Sequence, residues 1–256
     1  MTIPDEVRFA VGTFTRLPVP APATLDATVA GRGLVLGPAV GAAIAVVSGL
    51  LLLVTDVDLV ARLLSATLVV ALAAWITRAL HWDGLADVAD GLGSGAPPER
   101  AREIMRRSDI GPFGVLTLIF VVALQVLSIA QLPAGAPALA AWVLAVTLGR
   151  LAIALACGPW FRAARPAGLG ALVIGAMTPA RIAVAVALTA VIAITCAALG
   201  PLDVFRALLW GPAAAVLVVV AMGRLAHNRF GGSTGDVLGA TAELATTAVL
   251  LVLALS

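Results

Sequence analysis

The chain has 256 residues, of which 61% are hydrophobic and 12% are charged, and its mean hydropathy is +1.09. A soluble domain of this size would be about a quarter charged, so the composition excludes a water-soluble globule and indicates an integral membrane protein. The net charge is only +2, and we expect no nucleic-acid partner.

Seven apolar runs are long enough to cross the hydrocarbon core as helices, which takes about 20 residues each. They lie at about 34–54, 59–80, 113–132, 137–157, 182–199, 204–223 and 237–255. None alternates apolar and polar residues as a β-barrel strand does. The sequence therefore predicts an all-α fold, a polytopic integral membrane helical bundle with about seven transmembrane helices, in a single membrane-embedded domain over residues 1–256.

Two shorter pieces accompany these runs. Apolar and charged residues interleave over 3–17, which predicts an N-terminal amphipathic helix on the cytoplasmic face. The apolar run 168–177 has about half the length of a span and stands between Pro166 and Pro179. We expect it to form a short re-entrant or interfacial segment.

The arginines predict the orientation, because cytoplasmic loops carry the excess of basic residues. With the N-terminus inside, all of the 16 basic residues except Arg62 and Arg206 fall on the cytoplasmic side. The short outer turns carry Asp56, Asp58 and Asp203. Seven spans then place the C-terminus outside and every loop with polar content inside.

Segment 81–91 combines a histidine with three aspartates at the end of the second run. On a helix, Asp83, Asp87 and Asp90 would share one face within an arc of about 60°. Such carboxylates repel one another unless a divalent cation binds them, and Mg²⁺ prefers carboxylate, water and phosphate oxygens. The segment thus indicates a metal-held diphosphate, and the alternative is a solvated acidic turn of helix. His81 could serve as a base, as a metal ligand or as neither.

Segment 224–240 is rich in glycine and contains a fourth candidate carboxylate, Asp236. Gly231, Gly232 and Gly235 would permit a ligand to approach the backbone, and free N–H groups at the start of the last span could hold an anion. The alternative is that Thr234 or Asp236 only caps that span.

Several arginines in 100–107 have a guanidinium shape suited to phosphate. Their alternative role is the ordinary basic flank of the third span.

Within the spans, the only acid clearly inside is Glu243, and this scarcity of acids favours an enzyme at the cytoplasmic surface over a transporter.

Together these residues resemble the cobalamin-5′-phosphate synthase family, also called adenosylcobinamide-GDP ribazoletransferase. The resemblance covers nearly the whole chain and rests on 14–20, 81–91, 104–114, 168–170 and 231–243. Its most specific parts are the H-x-D-G-L-A-D-x-x-D-G pattern from His81 and the G-G-x-T-G-D-x-L-G-A-x-x-E pattern from Gly231. One departure is that Arg107 and Asp109 exchange acid and base relative to the family's usual order.

The resemblance implies a transferase of cobalamin biosynthesis in a prokaryotic inner membrane. Such an enzyme transfers the phosphocobinamide moiety of adenosylcobinamide-GDP to α-ribazole or α-ribazole 5′-phosphate and releases GMP, with Mg²⁺ as cofactor. Its partners are these substrates and the lipid bilayer. Whether the chain forms a homo-oligomer or a complex with other cobalamin-assembly enzymes stays open.

With that activity in mind, we assign roles to the candidate residues. The metal ligands are Asp83, Asp87 and Asp236, and Asp90 or His81 takes the hydroxyl proton. The remaining residues are predicted to contact the substrates: Arg102, Arg106 and Arg229 the phosphates, and Gly231, Gly232, Thr234 and Gly235 the nucleotide.

Two other functions remain open from the sequence. Another Mg²⁺-dependent intramembrane diphosphate transferase, of the CDP-alcohol or prenyl type, would use the same aspartate chemistry on lipid acceptors. A transporter would use the acids to bind ions.

Overall fold

A computed structural model describes residues 3–54, 58–107, 109–200 and 202–255. Within these ranges every regular element is helical. The α-helices are α1 (Asp5–Phe14), α2 (Ala27–Val35), α3 (Gly37–Gly49), α4 (Leu59–Ile76), α5 (Leu80–Gly93), α6 (Pro98–Ile104), α7 (Pro112–Gln131), α8 (Ala136–Ala156), α9 (Leu169–Val173), α10 (Pro179–Leu199), α11 (Gly211–Phe230) and α12 (Gly235–Ala254). Asp56, expected in an outer turn, and Ser108, between Arg107 and Asp109, lie outside the described residues.

Six helical segments are long and apolar enough to cross a membrane, and a seventh span results if α2 and α3 form one bent span. The predicted all-α polytopic bundle is thus confirmed. The six are α4, α7, α8, α10, α12, and α11 together with a π-helical stretch at Arg206–Trp210 that precedes it.

The first span differs from its predicted form. It begins at Ala27 rather than near 34, because the Asp26 carboxylate accepts hydrogen bonds from the backbone N–H groups of Thr28 and Val29, each 2.8 Å long. It then bends by 46° between α2 and α3. Pro38 stands in the first turn of α3 and has no N–H to donate, so the helix restarts there. A 3₁₀ turn at Leu50–Leu53 continues α3.

The second span ends earlier than predicted, at Ile76. Arg78 and Ala79 adopt positive φ angles of 56° and 53°, a conformation that disfavours residues with a Cβ. The Arg78 guanidinium donates to the carbonyl oxygen of Gly12 at 2.9 Å, which holds this turn against α1. The turn redirects the chain into α5, the helix that carries the aspartates.

Helices α8 and α12 form the centre of the bundle. In their most apolar stretches 89% and 78% of the residues are buried, against 22% in α4, α10 and α11. The outer helices expose large apolar side chains such as Leu68, Phe120 and Val191. An exposed apolar surface of this extent is suited to lipid and not to water.

A charged pair is buried between the two central helices. Arg150 and Glu243 approach to 3.8 Å, and the Gln125 side-chain amide donates to Glu243 at 3.3 Å and to Thr247 at 3.0 Å. Buried charges are tolerated when they are paired in this way. The acid that a transporter would expose to a pathway is therefore paired inside the bundle.

The two short pieces also take definite positions. Helix α1 lies within the predicted amphipathic segment, and its apolar residues Phe9 and Phe14 are buried against α2 and α3. Its apolar face thus contacts protein. The 168–177 segment contains only the five-residue helix α9 and does not cross the bundle.

Candidate active site

Helices α5 and α12 cross at very short range, and two glycines make this possible. A Cβ atom on Gly84 would lie 2.7 Å from the carbonyl oxygen of Asp236 and 2.8 Å from its Cα. A Cβ atom on Gly239 would lie 3.1 Å from the Cα of His81. Small residues allow helix backbones to approach in this way. The crossing brings the aspartate segment and the glycine-rich segment, far apart in sequence, to one place.

A cavity of about 320 Å³ opens where these helices meet. Helix α5 contributes His81 and Asp83, and the start of α12 contributes Asp236. The other walls come from α1 and α2, with Phe9, Phe14 and Leu34, from Ser233–Gly235, and from the 165–173 stretch, including Arg165 and Gly168–Gly170. One side of the cavity is thus polar and charged, and the opposite side is apolar.

The carboxylates near this cavity influence one another. Asp83 is exposed and Asp87 is half-buried one turn further along α5. Burial, and then the negative charges of Asp83, Asp236 and Asp90, raise the pKa of Asp87 to about 7. Such a cluster of acids is an environment that a cation would stabilise.

The residues present can hold Mg²⁺, but with fewer protein ligands than the three predicted carboxylates. Among the described residues no three Asp, Glu, His or Cys side chains converge closely enough to form a complete protein metal site. Mg²⁺ usually keeps several waters and takes one or two carboxylates together with substrate phosphates. The cavity offers Asp83 and Asp236 for such a set, with Asp87 beside them.

His81 is buried at the base of the cavity, where its ring stacks on Phe14 with 6.0 Å between centroids. Burial, and the nearby charge of Arg150, hold the pKa of His81 well below its usual range. Its Nδ1 atom has no hydrogen-bond partner among the described residues. The imidazole is therefore neutral, and its buried Nδ1 atom is left without a partner there.

Asp90 has a different environment from the other acids of α5. Its two carboxylate oxygens accept hydrogen bonds from the backbone N–H groups of Gly111, at 2.7 Å, and Gly114, at 2.9 Å. These groups belong to the first turn of α7, so Asp90 caps that helix across the chain. This engagement argues against the proton-accepting role predicted for it.

The predicted phosphate-binding arginines do not converge on the cavity. Arg102 donates to the carbonyl oxygen of Phe230 at the end of α11, Arg106 and Arg229 are exposed, and none of the three lines the cavity. Arg165, to which we assigned no chemical role, does line it.

Arg165 has one backbone hydrogen-bond partner and lies within the electrostatic influence of several charged groups. Its guanidinium donates to the carbonyl oxygen of Arg102 at 3.1 Å. Burial and the positive charges of Arg106 and Arg102 lower the pKa of Arg165, and Asp236 opposes them. The sequence offered one indication that Arg165 belongs to the site. It lies three residues before Gly168, at the edge of the 168–170 stretch that carries part of the resemblance.

The glycine-rich segment has mixed roles. Gly231 ends α11 with a φ of 71°, and Gly232 lies against the backbone of Arg162 and Ala164, where a Cβ would approach to 2.8 Å. The Ser233 N–H donates to the carbonyl oxygen of Arg162, and the Ala164 N–H donates to the carbonyl oxygen of Ser233, each at 2.8 Å. A contact with the ligand was predicted for these two glycines, and in the structure they end a helix and pack against backbone. Gly235 faces open space, since a Cβ atom there would have no other atom within 4 Å.

Thr234 and Asp236 lie at the start of α12, beside the cavity. The Val237 N–H donates to the Thr234 hydroxyl oxygen at 3.3 Å, and the hydroxyl donates to the Asp236 carboxylate at 3.2 Å. Thr234 therefore caps the helix, as the alternative reading of this segment held. Asp236 is left with a carboxylate at the cavity and near Asp83.

Comparison with known proteins decides the family. The model of the cobalamin-5-phosphate synthase family matches residues 6–254. The chain therefore belongs to the cobalamin-5-phosphate synthase family.

Relatives of similar length agree with this assignment. A protein of Frankia casuarinae named adenosylcobinamide-GDP ribazoletransferase is 37% identical over 98% of this chain and 95% of its own length. Proteins with the same name from a Nocardioides species and from Citrobacter koseri are each 38% identical, over 96% and 93% of this chain and 97% and 95% of their own lengths. No solved structure matches the chain.

Proposed function

We propose that this chain transfers the phosphocobinamide moiety of adenosylcobinamide-GDP to α-ribazole or α-ribazole 5′-phosphate and releases GMP. The observation that carries the proposal is the crossing of α5 and α12, which brings Asp83, Asp236 and the first N–H groups of α12 to one cavity. Family membership favours this reaction over a CDP-alcohol or prenyl transfer with the same metal chemistry.

In this reaction an oxygen of the ribazole hydroxyl forms a bond to the phosphorus that carries the cobinamide. The bond from that phosphorus to the oxygen bridging it to GMP breaks, and GMP leaves with the electron pair. Catalysis of phosphoryl transfer consists chiefly of positioning and of neutralising charge on the oxygens. The residues of the cavity are suited to both tasks.

We assign the metal-holding role to Asp83 and Asp236, with Asp87 as the third carboxylate beside them. Mg²⁺ would supply positive charge to the diphosphate oxygens. Arg165 would contact a phosphate oxygen, and the N–H groups of Gly235 and Asp236, for which the described residues offer no hydrogen-bond acceptor, would donate to another. Both contributions come from the polar side of the cavity.

His81 is the better of the two candidates for the proton of the attacking hydroxyl. It is neutral and lines the cavity, whereas both oxygens of Asp90 are bonded to the backbone of α7. A proton acceptor must lie within hydrogen-bond reach of the group that loses the proton. Of the two candidates, only His81 lines the cavity in the part of the chain that the structure describes.

We also propose the orientation of the chain in a prokaryotic inner membrane. The N-terminus, the 81–112 and 158–181 loops and the 231–235 segment are cytoplasmic, and the C-terminus is outside. The distribution of arginine supports this orientation, and it gives the cavity access to water-soluble substrates of the cytoplasm.

The test is the release of GMP from adenosylcobinamide-GDP by the purified protein in detergent or nanodiscs. We expect release to require both Mg²⁺ and α-ribazole or its 5′-phosphate. A parallel assay with lipid alcohols as acceptors separates the proposed reaction from a CDP-alcohol type of transfer. Release that is supported only by lipid acceptors would overturn the proposal.

A further inference from the structure

A second concave site lies on the other side of the 231–235 segment from the candidate active site. This basic groove has a volume of about 400 Å³ and is lined by the end of α11 and by the loop after α8. Gly232 and Ser233 form part of its wall, and Ser233 also lines the cavity of the aspartates. One short segment therefore separates the two sites and touches both.

The groove carries only positive and neutral polar groups. Arg162, Arg224, His227 and Asn228 line it, and the described residues that line it include no acid. Among the described residues none of these four side chains has a hydrogen bond or an ion pair. In a chain with 12% charged residues, two unpaired guanidinium groups in one concavity indicate an anionic ligand.

The opposite wall of the groove is aromatic. Trp160 is 57% exposed, and Phe161 stands edge-on to it, with 6.4 Å between ring centroids. Gly223 lets α11 accept the ring of Phe161, because a Cβ there would overlap that ring. An exposed indole face beside arginines is suited to a planar base that stacks while its phosphate is bound.

We propose that the basic groove binds a nucleoside 5′-phosphate, with the base on Trp160 and the phosphate on Arg162 and Arg224. The inference rests on the proposed function, which supplies two such ligands, the GMP that is released and the 5′-phosphate form of the acceptor. Backbone hydrogen bonds of 2.8 Å join Ser233 to Arg162 and Ala164 to Ser233. A nucleotide in the groove would therefore contact the segment that leads into α12, next to the cavity of Asp83 and Asp236.

Direct binding tests the groove apart from the reaction. The full chain, in nanodiscs of neutral phosphatidylcholine and without Mg²⁺, is dialysed against labelled GMP and, separately, labelled α-ribazole 5′-phosphate. We expect saturable binding of one of them, weakened about tenfold by Arg162→Gln, Arg224→Gln or Trp160→Leu. Arg100→Gln, which removes the same charge from an exposed site outside the groove, should bind normally.

The ligand that binds identifies which of the two the groove serves. Saturation by GMP assigns the groove to the released product, and saturation by α-ribazole 5′-phosphate assigns it to the acceptor. If the acceptor binds, the groove variants should raise its KM about tenfold with little change in kcat, because they remove binding that is equal in ground state and transition state. If GMP binds, the same variants should weaken product inhibition by GMP about tenfold.

Three results would overturn the proposal: neither nucleotide binds, the groove variants bind as the wild type does, or phosphatidylglycerol in the nanodisc displaces the nucleotide fully. GMP release with unchanged acceptor KM and unchanged inhibition by GMP in the groove variants contradicts the groove and leaves the proposed function standing. Groove-dependent nucleotide binding by a chain that releases no GMP contradicts the proposed function and supports the groove.

Discussion

Asp83 and Asp90 share a face of α5 but have opposite surroundings. Asp83 is exposed at the cavity and has no side-chain hydrogen bond among the described residues. Asp90 accepts two backbone N–H groups of α7. Seven residues of helix correspond to about 10 Å of rise, so Asp90 reaches the neighbouring helix instead of the cavity.

The first prediction compares these two acids. Asp83→Asn should lose most of the GMP release, because a neutral amide is a poor ligand for Mg²⁺, and it should unfold at the wild-type temperature or above, since it removes repulsion among carboxylates. Asp90→Asn should lower stability by about 1–2 kcal/mol, because one backbone acceptor at the α7 cap is lost. Thermal unfolding and GMP release measured on both variants check the contrast. An Asp90→Asn protein that is as stable as the wild type but inactive would contradict the capping role and support a direct role for Asp90 in the reaction.

The second prediction concerns the arginine at the cavity. Arg165→Gln should raise the KM for adenosylcobinamide-GDP or lower kcat by at least about tenfold, because a charge-assisted bond to phosphate contributes about 1.5–3 kcal/mol. Arg165→Lys should recover part of the loss, and Arg100→Gln is the control for loss of charge. Wild-type kinetics in Arg165→Gln would remove this residue from the site.

At the scale of elements, the site depends on how closely α5 approaches α12. We predict that Gly84→Ala moves the helices apart, since the added Cβ would lie 2.7 Å from a backbone oxygen that cannot move independently. The variant should lose GMP release and unfold at a lower temperature. Gly235→Ala meets open space and should fold normally. An active, fully stable Gly84→Ala protein would contradict the described crossing.

The sequence predicted the helices well and their contacts less well. Hydropathy is a property of single runs, so most span ends were found to within a few residues. The exceptions are the first span, which begins at Ala27 and not near 34, the turn at Arg78 and Ala79, and the sixth span, which continues to Phe230 and does not end near 223. The spacing of Asp83 and Asp87 correctly predicted a shared face. The partner of Asp90 is set by the position of α7, which no local pattern encodes.

The glycines show the same limit. A glycine-rich stretch is compatible with ligand approach, helix termination and close backbone packing, and the sequence alone does not separate these uses. The structure assigns termination to Gly231 and backbone packing to Gly232 and Gly84. Arg165 was counted as a basic flanking residue because its approach to Asp236 depends on the loop after α8 folding back on α12.

For the whole molecule, the orientation in the membrane decides which compartment reaches the cavity. We predict that Glu99→Cys is modified by a membrane-impermeant thiol reagent only from the cytoplasmic side, and Val204→Cys only from outside. Both positions are exposed, whereas the native Cys157 and Cys196 are buried and give a low background. Modification of both variants from the same side would refute the seven-span arrangement.

The central claim is that the carboxylates gathered at the crossing of α5 and α12 serve a ribazole transfer. The most direct measurement is GMP release from adenosylcobinamide-GDP by the purified wild type and the Asp83→Asn and Asp236→Asn variants, with and without α-ribazole and at limiting Mg²⁺. The account predicts release by the wild type that depends on acceptor and metal and is largely lost in both folded variants. Undiminished release by the two variants, or release by the wild type that needs neither α-ribazole nor Mg²⁺, would contradict it.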